Sequence, residues 1–447
     1  KVVLEYIPKY GQRLADEVRK WGQWVKEQAE AELAQFYPKD PDGATPIAYL
    51  WARTIRCEGP GCGAEVPLIR SLWLAKGGKR SVALRLTPDP ANQTIQVDVL
   101  EGCSASSVGS GTVARGSATC PLCGFTTRVD RVRHQLRARR FGVDDARLLA
   151  VILDHPAQNG AVYQAASGLH LDAARKAADY LAKNLGRFSI PDERFPAEDS
   201  RAFTPGVYGV NTWGDLFTPR QRLLLAVFCN SVRQVGEHSK AQDERELARA
   251  TATVLSMAVG KLADYESSLC VWRVVRTCVR NTFGRQALPV TWDFGEMNPF
   301  AGSAGDWSEA CRYLDLFIEH NHQARLTPGT VSRNSATSLS LQNDSVAALV
   351  TDPPYYDAVP YADLSDYFYV WHRRAIGGDV QGTILSETLT PKADEAVVNL
   401  ATKLPDGAVK DEASYERKMH AALEDARRVL APSGVSVVVF AHKSTAG

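Results

Sequence analysis

The stretch VAALVTDPPYYDAVPYADLSDYFYVW, residues 346–371, joins an apolar segment, a pair of prolines and a run of aromatic residues. The apolar segment predicts a buried strand, and the prolines end it at Asp352, because a proline has no backbone N–H to donate to a sheet. A helix crowded with aromatic residues follows. Asp352 then stands at the carboxyl end of a strand, the edge at which open α/β sheets bind ligands. The stretch therefore predicts an α/β fold with a stiff acidic loop at a ligand-binding edge.

The loop Asp352-Pro353-Pro354-Tyr355 has the chemistry to hold the exocyclic amino group of a nucleobase. The lone pair of such an amine is delocalised into the ring. Two acceptors that bind both amino hydrogens free the lone pair and stabilise the positive charge that develops during methyl transfer. The Asp352 carboxylate and the Pro353 carbonyl supply these acceptors, at a separation that the prolines fix. Tyr355 supplies a ring on which a flipped base can stack.

The alternative for this loop is a Pro-Pro turn that ends a core strand and packs Tyr355 inside the protein. We expect most of the aromatic residues that follow to lie in the helix core, with one or two lining a base or cofactor pocket. Asp363 and Asp366 flank the first turn of that helix. Helix capping or solvation is the expected role of both carboxylates.

Length, charge and cysteine content restrict the class of protein. A chain of 447 residues is long enough for roughly two to four domains. The formal net charge is +1, so a surface for nucleic acid has to be a local basic patch. No apolar run reaches the roughly 20 residues of a membrane helix. Five of the nine cysteines are scattered, which argues against a disulfide framework and favours a cytoplasmic protein without a membrane partner.

Four cysteines form two close pairs, Cys57 with Cys62 and Cys120 with Cys123, and a glycine follows each pair. Two such tight turns predict a tetrahedral four-thiolate zinc site of the closed, structural kind. Residues 63–119 separate the pairs, which is longer than the usual spacing of about 15 to 20 residues. We interpret them as a β insertion within a zinc ribbon. The alternative is two unrelated cysteine pairs in a reducing compartment.

A run of arginines follows the second cysteine pair, in RVDRVRHQLRARRFG. Beside a zinc ribbon these side chains could contact phosphates, and a solvated helix face is an equally good interpretation. The candidate nucleic-acid-binding residues are Arg131, Arg133, Arg137, Arg139 and Arg140.

The chain divides by pattern into five regions. A capping box at Thr218, Pro219 and Gln221 opens the α-rich one. Alternating strand and helix patterns near the carboxyl end predict a parallel sheet. The predicted regions are 1–50, helical; 51–142, a zinc ribbon with a β insertion; 143–200, a small α/β segment and linker; 201–285, α-rich; and 286–447, the part that holds the Asp352 loop.

These motifs resemble those of the S-adenosylmethionine-dependent amino-methyltransferases of DNA. More narrowly, the chain is similar to the prokaryotic adenine-specific DNA methylases that contain a zinc ribbon, from about residue 45 to the carboxyl end. The stretches that carry the resemblance are YLWARTIRCEGPGCGAEVPLIRSLWLAK, ATCPLCG, WGDLFTPRQ, NTFGRQALPVTWDFGEMNPF, TDPPYYDAVPYADLSDYFYVWHRR, LTPK and RRVLAPSGVSVVVFAHKST.

The resemblance implies a Rossmann-like methyltransferase sheet, with the zinc-ribbon β region and the α-rich region as insertions. It implies methylation of the adenine amino group in DNA, with S-adenosylmethionine as cofactor and zinc as a structural ion. The Asp352–Tyr355 positions match the catalytic loop of the family, and the four paired cysteines match its zinc ligands. Such methylases occur in restriction-modification or phage-defence loci, so DNA and other defence-system subunits are the expected partners.

The cofactor loop of this family, a Gly-rich turn after the first strand, has no convincing copy in the chain. NPFAGSAGDW, residues 298–307, imitates it and makes Asn298, Phe300 and Gly302 the candidate cofactor-binding residues, but no strand-ending acid follows. The other expectation is that the loop lies upstream of Lys1. The chain would then be a fragment with an incomplete sheet, and the usual base-stacking segment would lie past Gly447.

Other functions fit the same motifs. An acid in the first position of the loop also suits methylation of the cytosine amino group in DNA or of the guanine amino group in ribosomal RNA. A non-enzymatic alternative is a zinc-ribbon nucleic-acid-binding protein with an incomplete methylase fold.

Overall fold

The computed structural model describes residues 1–76, 81–196, 202–238, 241–302, 305–357, 359–377, 387–403 and 407–439. The chain forms two compact units. Unit 1 comprises Lys1–Pro328 and Val370–Gly378, and unit 2 comprises Gly329–Tyr369 and Asp379–Gly447. Among the described helices, none combines the length and the apolar content needed to cross a bilayer.

The helices and strands are numbered in chain order. The helices are α1 (Ile7–Tyr10), α2 (Gln12–Leu33), α3 (Val129–Ala138), α4 (Gly168–Lys183), α5 (Pro219–Glu237), α6 (Gln242–Tyr265), α7 (Trp307–Gln323), α8 (Tyr361–Ile376) and α9 (Glu412–Val429). Single π- or 3₁₀-helical turns cover Val2–Tyr6, Ala34–Phe36, Arg140–Gly142, Leu185–Arg187, Thr204–Tyr208 and Trp213–Leu216. The strands are β1 (Thr45–Ala52), β2 (Thr54–Arg56), β3 (Glu65–Pro67), β4 (Trp73–Ala75), β5 (Val82–Asp89), β6 (Thr94–Glu101), β7 (Val113–Ala114), β8 (Ser117–Thr119), β9 (Thr126–Thr127), β10 (Arg147–Asp154), β11 (Val162–Ala165), β12 (Val271–Arg273), β13 (Cys278–Arg280), β14 (Asp293–Met297), β15 (Val346–Thr351), β16 (Asn399–Lys403), β17 (Val409–Lys410) and β18 (Leu430–Val438).

The core of unit 1 surrounds a four-stranded sheet in the order β11-β10-β1-β14, in which every neighbouring pair is antiparallel. Its central strands are apolar on both faces and almost entirely buried. The sequences of strands buried on both faces are continuous hydrophobic runs, because no residue faces water. Helix α5 begins as predicted, since the Thr218 side chain accepts the backbone N–H of Gln221 at 3.1 Å and the Gln221 side chain accepts that of Thr218 at 3.0 Å.

Strand β14 overturns one expected boundary. It lies in the predicted region 286–447, but it pairs antiparallel with β1, from Ala48 opposite Met297 to Ala52 opposite Asp293. Helix α7 also belongs to unit 1. The first predicted region likewise ends earlier, since β1 begins at Thr45. These boundaries depend on pairing between strands that are distant in the chain, and local sequence patterns do not predict such pairing.

Unit 2 contains a parallel strand pair, β15 with β18, in register from Ala348 opposite Val435 to Thr351 opposite Val438. Helix α8 follows β15 and helix α9 precedes β18, so the connection has the βαβ form that parallel strands require. The predicted α/β class is confirmed in this coarse sense, because the chain mixes helices with strands. The sheets are small and mostly antiparallel, and the described residues show no Rossmann-like sheet.

Candidate functional site

The Asp352 loop follows β15 directly, as the sequence predicts, but the residues of the strand are exposed or half-buried and not buried as expected. Strand β18 extends the parallel pairing to its edge, where the Val439 N–H donates to the Thr351 carbonyl at 2.8 Å. Asp352 is exposed and Pro353, Pro354 and Tyr355 are half-buried. The loop therefore projects from the carboxyl end of a parallel strand, with its acid in solvent.

Two contacts hold the second half of the loop. The Tyr415 hydroxyl of α9 donates to the Pro354 carbonyl at 3.0 Å. The Val398 N–H donates to the Tyr356 carbonyl at 3.1 Å. Tyr356 itself has φ 49°, a left-handed conformation that is strained for a bulky residue. Strain of this kind persists only where neighbouring structure enforces it, and it occurs preferentially at functional loops.

The remaining acceptors of the loop are open. Within the described part of the chain, neither the Pro353 carbonyl nor Oδ2 of Asp352 accepts a hydrogen bond. The other carboxylate oxygen, Oδ1, accepts the Tyr355 hydroxyl at 2.6 Å. One carboxylate oxygen and one carbonyl oxygen of consecutive residues are thus left to accept hydrogens from a ligand, with the carboxylate oriented by its neighbour.

Tyr355 has a role that the sequence did not predict. Its hydroxyl is tied to Asp352, and that hydrogen bond to a carboxylate raises the pKa of Tyr355. The ring is only half-buried, so it is not packed into a core as the Pro-Pro turn alternative required. Tyr355 can therefore act as a donor that orients the Asp352 carboxylate.

Behind the loop, a buried polar network fixes helix α8. Asp366 is fully buried, and its Oδ1 accepts both the N–H and the hydroxyl of Thr390, at 2.8 and 2.6 Å. Its Oδ2 accepts the Lys392 ammonium at 2.6 Å. The expected role of Asp366 as a capping or solvated residue was therefore wrong. The carboxylate instead fastens the Thr390–Lys392 segment to α8.

Asp363 lies one turn earlier on the same helix and is also buried. Burial raises its pKa to about 6, and the carboxylates of Asp366 and Glu395 act in the same direction, whereas the ammonium groups of Lys392 and Lys410 lower it. Glu395 accepts the Ala362 N–H at 2.9 Å, so it satisfies a donor in the first turn of α8. The capping function expected of Asp363 is thus performed by a residue from another segment.

The four paired cysteines come together in unit 1. Their sulfur atoms all lie within 4.8 Å of one another. The Sγ atoms of Cys57 and Cys123 are 3.6 Å apart, and those of Cys62 and Cys120 are 3.9 Å apart. A tetrahedral zinc–thiolate site with bonds of about 2.3 Å has sulfur–sulfur edges of about 3.8 Å. The cluster can hold a metal ion, and its donor set and spacing fit structural zinc.

The turns that carry the sulfurs have the geometry expected of metal knuckles. Gly63 and Gly124, each just after the second cysteine of a pair, have φ of 62° and 74°. Only glycine adopts these angles without strain. The intervening segment contains β3 to β8, so the β insertion predicted between the pairs is present.

Helix α3 is docked on this cluster. Arg131 pairs with Glu58, which lies between the first two cysteines, at 3.0 Å. The Gln135 side chain accepts the Arg56 N–H at 2.8 Å and donates to the Arg56 carbonyl at 2.9 Å. A metal-bound ribbon would therefore fix the orientation of the helix that carries the candidate arginines.

The five candidate arginines are not equivalent. Arg139 is half-buried and bonded to Asp145 and Thr54, so it serves the fold. The Arg137 Nε donates to the Val207 carbonyl at 2.7 Å. Arg133 lies against the Tyr208 ring, and Arg140 is exposed. Of the five candidate arginines, Arg133 and Arg140 are best placed to contact a phosphate. Arg131 instead forms an ion pair with Glu58.

The candidate cofactor segment has a different environment from the one expected. It follows β14, an antiparallel strand, rather than a parallel one. The Asn298 side chain donates to the Pro46 carbonyl at 2.8 Å and accepts the Phe300 N–H at 3.1 Å. Phe300 packs on Tyr37 and Phe228, and Gly302 has φ 71°. Both polar groups of the Asn298 side chain form hydrogen bonds inside the protein, so this segment does not fit S-adenosylmethionine.

Sequence reasoning missed several residues that shape the site. Tyr415, Glu395 and the Thr390–Lys392 segment all reach the loop region from distant positions. Of these residues, Thr390 and Lys392 belong to LTPK, one of the stretches that carry the resemblance. The end of the last matching stretch, residues 440–445, lies outside the described residues.

Comparison of the chain with protein-family models, with curated proteins and with solved structures gives no match. The similarity to zinc-ribbon DNA methylases therefore remains a prediction from the motifs.

Proposed function

We propose that this protein methylates the exocyclic amino group of adenine in DNA, with S-adenosylmethionine as methyl donor. The observation that carries the proposal is the pair of open acceptors, Asp352 Oδ2 and the Pro353 carbonyl, on a rigid loop at the end of a parallel strand. An amine with two hydrogens matches two acceptors on adjacent residues. Such preorganised acceptors act where positive charge develops on the nitrogen.

Each loop residue has a distinct part in the proposed reaction. Asp352 and Pro353 accept the two amino hydrogens and direct the nitrogen lone pair at the incoming methyl group. Tyr355 orients the Asp352 carboxylate through Oδ1, and its half-buried ring is the proposed stacking surface for a flipped base. Pro354 stiffens the chain, and Tyr415 fixes its carbonyl. The proton that the amine loses passes to solvent or to the Asp352 carboxylate.

The methyl donor supplies an electrophilic methyl group on a sulfonium centre. The candidate segment Asn298–Gly302 does not fit it, and the proposal assigns no other described residue to it. The structural zinc site and the basic helix α3 support a nucleic-acid substrate, because a fixed helix with exposed arginines can contact phosphates. We further propose DNA as the principal partner, other defence-system subunits as associated proteins, and the cytoplasm as location.

A second candidate function is binding of nucleic acid without catalysis. The observation that favours it is the poor fit of the Asn298 segment to a cofactor. Isothermal titration with S-adenosylmethionine separates the two functions, because a methyltransferase must bind its donor whereas a binding protein need not.

The proposal is tested with purified protein, duplex DNA and radiolabelled S-adenosylmethionine. We expect Asp352→Asn to reduce methyl transfer by at least 100-fold, on the order of the loss when one charge-stabilising group is removed from an active site. Asp357→Asn is the matched control, since Asp357 is exposed and only five residues away. Methyl transfer at the wild-type rate by Asp352→Asn would contradict the proposal, as would absence of transfer from the wild-type protein with every DNA tested.

A further inference from the structure

A cleft of about 360 Å³ lies in unit 1, and neither the Asp352 loop nor the cysteine cluster lines it. Clefts that bind small molecules usually have volumes of about 300 to 1,000 Å³. The walls are aromatic. Trp51 and Phe294 are stacked, with ring centroids 6.5 Å apart and planes 12° apart, and the half-buried Trp73 and Trp292 face the same space. Flat π surfaces of this kind suit a planar ring as ligand.

Polar groups stand among these rings. Trp51 is 8% exposed, and its indole N–H has no acceptor in the described part of the chain. Oδ1 of Asp293 accepts the Arg70 N–H at 3.0 Å. Arg70 and Arg115, both exposed, also line the cleft. The cleft thus offers positive charge to an anionic group beside its aromatic walls.

Arg115 occupies an unusual backbone position. It forms the tip of the β7–β8 hairpin with Gly116, and the two residues have φ of 50° and 84°. Two-residue hairpins of this type favour Asn or Gly at the first position, because a left-handed conformation strains other residues. An arginine there is unfavourable for folding alone. Strained residues of this kind concentrate at binding sites.

One residue that lines the cleft, Gly116, packs on the basic helix α3. Gly116 packs so closely on Val129 of α3 that an added Cβ would lie 2.7 Å from the valine Cγ2 atom. The Arg133 guanidinium carbon lies 5.5 Å from the centre of the Tyr208 ring. That ring in turn meets Trp292 edge-on, with centroids 5.4 Å apart. A path of arginines and aromatic rings therefore runs from α3 to the cleft wall.

We propose that this cleft binds an unstacked base of a single-stranded nucleic acid, while Arg115 and Arg133 contact the adjoining phosphates. Stacking on aromatic side chains together with a basic track is the recurring mode by which proteins hold single strands. The site is separate from the methyl transfer proposed for unit 2 and does not depend on it.

The test is fluorescence anisotropy with a labelled 12-nucleotide DNA strand, an RNA strand of the same sequence, a DNA strand with abasic sites, and dAMP as competitor, all with the full zinc-loaded chain. We expect Trp73→Ala to weaken binding of the intact strand about tenfold, the usual loss for one stacking ring. The wild type should bind the abasic strand more weakly than the intact strand. Trp73→Ala should bind the abasic strand with the same affinity as the wild type does. Whichever strand binds with the higher affinity, DNA or RNA, identifies the type of nucleic acid that the cleft holds.

Arg115→Gly tests the phosphate contact with little risk to folding, because glycine relieves the positive φ. We expect this variant to melt at or above the wild-type temperature, to bind the strand several-fold more weakly, and to lower the slope of log affinity against log salt by about 1. Arg312→Ala is the control, since Arg312 is an exposed arginine of α7 that does not line the cleft. Trp73→Phe keeps a π face and should restore most of the affinity lost in Trp73→Ala.

Three results would overturn the proposal. The first is wild-type affinity in both Trp73→Ala and Arg115→Gly with melting temperatures preserved. The second is equal binding of intact and abasic strands, which would leave no base in the cleft. The third is displacement of the labelled strand by dAMP at the same concentration at which unlabelled strand displaces it. That result would make a free nucleotide the ligand. Trp73 and Arg115 line the cleft and lie outside the Asp352 loop, so failure of the methyltransferase proposal leaves this test intact.

Discussion

Strands β10 and β15 have similar apolar sequences, RLLAVILD and VAALVT, but very different surroundings. In unit 1, β10 lies between β1 and β11 and six consecutive residues of it are buried. In unit 2, β15 pairs with β18 alone among the described strands, and Val350 is 74% exposed. On β18, the consecutive residues Val437 and Val438 are both exposed, so apolar side chains reach solvent on both faces.

The difference shows what apolar composition can and cannot establish. Parallel sheets normally have both faces covered, and a two-stranded pair alone is at best marginally stable in water. Unit 1 is held by burial, whereas the loop region of unit 2 is held by polar contacts of Asp366, Glu395 and Tyr415. The four predictions that follow test this contrast, from the largest expected effect to the smallest.

Removal of the metal should have the largest effect, and it should be confined to unit 1. We expect one zinc per chain by elemental analysis, and loss of that zinc in Cys120→Ser. Zinc binding to small fingers contributes about 10 to 16 kcal/mol, so the ribbon and the docked helix α3 should lose their amide protection against hydrogen exchange. The control is Cys103→Ser, since Cys103 lies in the same region but outside the cluster. Protein purified without chelator that contains no metal would contradict this prediction.

The buried ion pair of unit 1 should have the next largest effect. The side chains of Arg220 and Glu296 are both almost fully buried, and their Nε and Oε1 atoms are 2.8 Å apart. Burial also raises the pKa of neighbouring Glu266 well above its usual range. Arg220→Met leaves Glu296 buried without its partner and should lower the free energy of unfolding by about 3 to 5 kcal/mol. Arg85→Met removes an exposed pair with Asp98 and should cost about 0 to 1 kcal/mol. Equal losses in chemical denaturation would show that Arg220 is not buried in solution.

Matched substitutions in the two strands test the contrast itself. Val151→Thr in β10 buries a hydroxyl in a fully buried position and should cost about 1 to 3 kcal/mol. Val350→Thr in β15 places the hydroxyl in solvent and should change the free energy of unfolding by less than about 0.5 kcal/mol. If Val350→Thr were as destabilising as Val151→Thr, the face of β15 would be covered in solution.

The smallest expected effect concerns the pH dependence of unit 2. Because burial raises the pKa of Asp363 to about 6, the folded state binds this proton more tightly than the unfolded chain does. Stability should therefore decline as pH rises from about 4 to 6 and level off above that. Asp363→Asn should remove this decline, because an amide does not titrate in this range. Urea titrations at pH 4, 5, 6 and 7 measure it, and an identical pH profile in the variant would contradict the assignment.

The sequence predicted the features that depend on neighbouring residues. The strand before Asp352, the capping box at Thr218 and the convergence of the four cysteines all follow from short patterns with a physical cause. The antiparallel pairing of β14 and the buried position of Asp366 depend instead on segments far away in the chain. The Tyr355 hydroxyl shows the same limit within four residues, since a pattern of residue types does not specify a side-chain direction.

The most direct test of the central claim is nucleoside mass spectrometry of DNA from cells that express the protein, compared with cells that express Asp352→Asn or the Asp357→Asn control. The claim that the Asp352–Pro353 acceptors hold an adenine amino group predicts N6-methyladenine with the wild type and the control, and none above background with Asp352→Asn. N4-methylcytosine in DNA, or N2-methylguanine in ribosomal RNA, would assign the loop to another base. N6-methyladenine at the wild-type level with Asp352→Asn would contradict the claim.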